Sequence, residues 1–224
     1  MASGVEQDQA WHAVLERRLN GQKAGKKFDV LNFGVELYGL RELVATVRHK
    51  TMDWSPDLVV VAVTTFTTSL LWEEPHANQV LSDRAYPFFE SYAFRALAGK
   101  MGWSVDIPAN DRLRLESDQA DLWRGQLLRT VRELGELKDA DDVPIVIIFL
   151  GYVSIGSKNE DELSHQAAQL GLPVIFANQI FPAERKQRNK LQISLYDRHP
   201  NAAGHELIAD FFAEELARRR LLPE

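Results

Sequence analysis

The chain contains no cysteine, which excludes disulfides and thiolate metal sites and leaves the redox compartment undetermined. Positive charge is in the minority, with 26 Lys and Arg against 32 Asp and Glu for a net charge of −6. A general nucleic-acid binder needs basic surface to displace counterions from phosphates, so that class is excluded. The short basic clusters at 23–27, 185–190 and 218–220 read as solvated faces. No run approaches the roughly 18 apolar residues that span a bilayer. The opening Met1-Ala2-Ser3-Gly4 leads directly into polar sequence without the apolar stretch of a secretory signal. A cytoplasmic location is therefore expected, or a secreted or periplasmic one if an upstream leader has been removed.

What is present suits one packed domain over residues 1–224. The hydrophobic fraction is 45%, enough for a full core at this length, and the 26% of charged residues is ordinary for a globular chain. Trp11, Val14, Leu15 and Leu19 recur at helical spacing and predict a helix over 8–20. The segment 28–35 is strand-like in length and content, and Leu40, Leu43, Val44 and Val47 continue as a helix. Residues 58–63 and 143–150 are apolar without polar alternation, the pattern of strands buried on both faces. A fourth strand is expected at 174–177, and further helices over 117–137, 161–170 and 202–219. Residues 70–110, rich in aromatics at irregular spacing, are expected to form a helical, lid-like insertion.

Strand and helix alternate along the chain. That order predicts an α/β fold, a mainly parallel sheet with right-handed crossovers and helices on both faces, doubly wound in three layers. Ligands bind such sheets at the carboxyl ends of the strands. The loops at 34–39, 64–69, 151–158 and 196–201 are therefore expected to share one edge.

The sharpest local feature is Asp197-Arg198-His199-Pro200-Asn201 ahead of the last helix. An Asp two residues before a His, in a loop stiffened by proline, places its carboxylate against one imidazole nitrogen and leaves the other as a general base. The same residues also suit a second role, in which Asp197 caps a turn, Asn201 caps the helix, and His199 and His205 are simply polar residues near a helix start. Elsewhere, His12, His49, His76 and His165 are scattered without metal-ligand spacing, so no metal is expected. The glycines at 151 and 156 match neither the Walker nor the dinucleotide pattern, and no cofactor is expected.

The string Asp197-Arg198-His199-Pro200-Asn201-Ala202-Ala203-Gly204-His205 followed by an amphipathic helix resembles the fifth block of SGNH/GDSL-type hydrolases. Residues 28–40 resemble that family's second block, 56–68 its third, and Gly4-Val5-Glu6 with the following helix the stretch after its nucleophile loop. The resemblance covers nearly the whole chain. It implies a flavodoxin-like three-layer domain and an esterase or lipase, or a carbohydrate acetyl esterase, acting on a small ester or acylated carbohydrate. His199 would be the base and Asp197 the residue that orients it. The family's oxyanion-hole glycine falls near Leu37 and its oxyanion-hole asparagine near Phe66.

The chain departs from the family at its nucleophile. The Gly-Asp-Ser of the first block would lie just upstream of Gly4, where only Met1-Ala2-Ser3 stands. The nucleophile is thus unidentified, and Ser3, Thr64, Thr65, Thr67 and Ser69 are the hydroxyl candidates. Three readings follow: a truncated or engineered chain without the first strand, a divergent hydrolase with another hydroxyl, or a noncatalytic domain that binds a carbohydrate or protein partner. If the first strand is missing, strand 28–35 must pair elsewhere or a second copy must fill the gap, which makes a homo-oligomer an expectation.

Overall fold

The structure is a computed structural model, and it describes residues 4–22, 27–35, 38–64, 117–150, 157–181, 187, 189–194, 197 and 199–223. The expected lid over 70–110 lies outside them. Three strands form one parallel sheet in the order β1-β2-β3: β1 Val59–Thr64, β2 Ile145–Leu150 and β3 Val174–Phe176. Val59 lies opposite Ile145, and Ile147 opposite Val174. Among the described residues five α-helices surround the sheet: α1 Trp11–Gln22, α2 Leu40–Thr46, α3 Ser117–Asp141, α4 Ser157–Gln169 and α5 Ala202–Arg218.

Pleating sends alternate residues of β2 to opposite faces, and each face has its own core. Ile145, Ile147 and Phe149 pack with Val59, Val61 and Val63 against Leu40 and Val44 of α2, the Leu127, Val131 and Leu134 stripe of α3, and Leu163 of α4. Val146 and Ile148 pack with Ile175 against Val14, Leu15 and Leu19 of α1 and Ile208, Phe212 and Leu216 of α5. Helices therefore cover both faces, and the expected α/β order of layers is present. The first and last helices lie together, with Trp11 edge-on to Phe212 at 5.5 Å between ring centroids and Arg18 paired with Asp210 at 2.6 Å along the exposed rim.

The expected strand over 28–35 is not a strand. Residues 27–35 join no sheet among the described residues, because side chains take their backbone groups. Phe28 N–H donates to Asn20 Oδ1 at 2.7 Å, the Asn20 amide donates to Phe28 O at 2.9 Å, and Val30 N–H donates to the Glu16 carboxylate at 2.6 Å. Gly34 N–H donates to Asn32 Oδ1 at 2.9 Å. Leu31 and Val35 are left 53% and 45% exposed, where the expected sheet position would have buried them.

The expectation that 58–63 is buried on both faces is half met. Val59, Val61 and Val63 are buried, while Val60 and Ala62 are only partly so. Val59 N–H donates to Pro144 O at 2.9 Å, so by the alternation of a parallel ladder the N–H and C=O of Val60 and Ala62 point away from β2. No strand lies along that outer edge among the described residues.

Candidate active site

The loop that carries Asp197 and His199 follows from a few backbone hydrogen bonds. Residues 191–194 run antiparallel to 199–201, bridged between Gln192 and Pro200. Asn201 N–H donates to Leu191 O at 2.9 Å, Ile193 N–H to His199 O at 2.9 Å, and Ser194 N–H to Asp197 O at 3.1 Å. The turn is closed by the Asp197 N–H, which donates to Ser194 Oγ at 2.9 Å.

Asn201 joins this loop to α5. Its Oδ1 accepts the Gly204 N–H at 3.1 Å as the helix cap. Its amide donates across the loop to Lys190 O at 2.9 Å and Gln192 O at 3.0 Å. Gly204 has no Cβ, which this contact requires, since one would lie 2.5 Å from Leu191 O.

Within this frame Asp197 Oδ1 sits 2.6 Å from His199 Nδ1 and also accepts the His199 backbone N–H at 3.0 Å. Partial burial works against the Asp197 charge. The backbone and ring bonds from His199 outweigh it, and hold the carboxyl below its usual range. The carboxylate can only accept in this contact, so the hydrogen between the two groups lies on His199 Nδ1. The imidazole is 64% exposed. Asp197 closes the turn and Asn201 caps the helix, as one of the two readings of this motif expected, and Asp197 also bonds the His199 ring.

The site lies toward the carboxyl end of the sheet. Helix α5 packs against the short 3-10 turn Asn178–Ile180, which follows β3, while Arg219 just past its far end donates to Val174 O at the start of β3, so the start of α5 lies on the carboxyl side. Gly4, at a φ of +86°, seats so closely on the Ile193 side chain that no Cβ fits between them. The start of the described chain thus touches the loop that carries His199. Thr64 is half-buried at the carboxyl end of β1, opposite Leu150. Leu37, Phe66, Ser3, Thr65, Thr67 and Ser69 lie outside the described residues, as do the loop residues 151–156.

Sequence reasoning gave His205 no role beyond that of a polar residue near a helix start. It is buried at 3% exposure, and its Nδ1 accepts the Trp11 N–H, the first amide of α1, at 3.2 Å. Its Nε2 is buried with no hydrogen-bond partner among the described residues. Burial pushes its pKa down to about 4, helped by positive charge at the amino terminus and on His12 and His199. Its apolar neighbourhood at a helix start was the only signal available, and the partner is 194 residues away.

Among the described residues no group of three or more His, Asp or Glu side chains is placed to hold a metal ion. None of the helices described is long and apolar enough to cross a membrane. No family model matches the chain, and neither does any curated protein or solved structure.

Proposed function

We propose that the chain is an ester hydrolase of the SGNH/GDSL type, acting on a small ester or an acylated carbohydrate. One observation carries the reading: the Asp197 carboxylate lies 2.6 Å from Nδ1 of an exposed His199, so that Nε2 is the ring nitrogen that accepts a proton when the imidazole is neutral. In this mechanism Nε2 takes the proton of a hydroxyl as it attacks the ester carbonyl, and Asp197 stabilises the imidazolium that forms. The imidazolium then returns the proton to the departing alkoxide. A water attacking the acyl intermediate repeats the cycle and frees the acid.

The nucleophile is one of the hydroxyls already named, or one supplied from upstream of Gly4. Leu37 can offer only its backbone N–H to the developing oxyanion. Phe66 lacks the side-chain donor expected at its position, and loss of such a donor lowers turnover by on the order of 100-fold to 1,000-fold. Slow hydrolysis of activated esters is therefore expected.

The test is labelling by a fluorophosphonate probe and turnover of p-nitrophenyl acetate, with wild type beside His199→Ala and the labelled residue mapped by mass spectrometry. Labelling and turnover that both disappear in a folded variant support the hydrolase. Silence from folded wild-type protein refutes it and leaves binding of a carbohydrate or protein partner in the same cleft as the reading to pursue.

A further inference from the structure

We infer that Asn201 is the positioning residue of the Asp197–His199 pair, and that the loop holds the pair rather than the pair the loop. The use of that geometry in catalysis rests on the hydrolase reading; the geometry itself does not. The side chains of His199 and Asp197 are 64% and 44% exposed. An ion pair so open to water shifts a loop's conformational equilibrium by no more than about five-fold.

Asn201 makes three hydrogen bonds at once, of 2.9, 3.0 and 3.1 Å, in a half-buried position beside the buried Gln192. At ordinary net strength three such bonds shift an equilibrium by about a hundred-fold. The amide spans Lys190 O and Gln192 O on the opposite arm. The carbonyl of the same side chain fixes the α5 start. One planar group therefore sets the distance between the arms and the angle at which the His199 arm leaves the helix. Pro200, between His199 and Asn201, stiffens the connection. Since Ile193 N–H donates to His199 O, the arm that Asn201 grips is bonded directly to the catalytic residue's own backbone.

Two variants separate the causes. Asn201→Ser keeps a helix-capping hydroxyl for Gly204 N–H and loses both cross-loop donors. Asp197→Ala removes the carboxylate and leaves Asn201 in place. The readouts are the imidazole nitrogen-15 shifts of His199, which report its tautomer, and amide hydrogen exchange at Ile193. Wild type is expected to hold the Nδ1–H tautomer. In Asn201→Ser the tautomer moves toward the Nε2–H form favoured by free histidine, and Ile193 exchanges at least about ten-fold faster. In Asp197→Ala, Ile193 exchange stays within about five-fold of wild type.

The inference is overturned if Asn201→Ser keeps the wild-type tautomer, or if Asp197→Ala loses Ile193 protection as fully as Asn201→Ser does. Asn201→Asp, which also retains a cap and loses the donors, repeats the test should the serine variant not fold. None of these readouts needs a substrate, so a protein silent toward the fluorophosphonate probe can still pass or fail them. If the protein does turn over esters, Asn201→Ser lowers kcat and leaves KM unchanged.

Discussion

Acidification should weaken this protein through His205 well before its carboxylates protonate. In the folded chain the imidazole must stay neutral, because Nδ1 accepts the first amide of α1 and the ring lies between the amino-terminal ends of α1 and α5. Both helix ends carry partial positive charge and repel an imidazolium. The folded pKa is about 4, against 6.5 for the free side chain. Between these values the unfolded chain binds a proton that the folded chain does not, so stability is complete above pH 6.5 and falls as the pH drops toward 4. A shift of that size corresponds to about 3 kcal/mol, with about 2 kcal/mol of it lost between pH 7 and pH 5. For a chain of this length that is a fall in Tm of about 4 to 8 °C. The assay is thermal unfolding followed by circular dichroism at pH 7 and pH 5, wild type beside His205→Gln. The glutamine carbonyl can still accept from Trp11 N–H but does not titrate. His12, whose pKa is also lowered chiefly by burial, contributes equally to both proteins and cancels. An equal pH dependence in the two would refute the reasoning.

Two further outcomes are expected. Gly204→Ala puts a methyl group 2.5 Å from Leu191 O and 2.9 Å from the Pro200 Cβ. Overpacking of about 1 to 3 kcal/mol then exceeds the gain of up to about 1 kcal/mol that alanine brings inside a helix. A lowered Tm with faster amide exchange at Ile193 is the expected result, and a raised Tm would show that the loop gives way freely. Phe212→Ala empties a fully buried position between Trp11 and the sheet and is expected to cost about 3 to 5 kcal/mol by urea unfolding; a loss below about 1 kcal/mol would mean that α1 and α5 collapse into the space.

Much of this architecture could be read from local pattern. Residues 145–150 are apolar throughout because both of their faces meet helices, and the helices of each core carry stripes at helical spacing. Asp197 and His199 were legible because they are two residues apart, so a single turn determines their contact. The misread segment, 28–35, has a strand's composition, but its backbone partners are Asn20 and Glu16 on α1, which no alternation of its own side chains reveals. The role of His205 was hidden for a similar reason, since its acceptor depends on an amide at the other end of the chain.

The pairing of α1 with α5 also sets an order of events during synthesis. Of the helices described, α1 leaves the ribosome first, yet the surface that buries Val14, Leu15 and Leu19 includes Ile208 and Phe212 of α5, the latest of them to be made. The face of the sheet formed by Val146, Ile148 and Ile175 waits for the same helix. The face built by α2, α3 and α4 can close on the nascent chain as soon as Val174–Phe176 has emerged. Until α5 arrives, one half of the core is finished while the other is an apolar surface open to solvent, and during that interval a nascent chain of this protein is most exposed to aggregation.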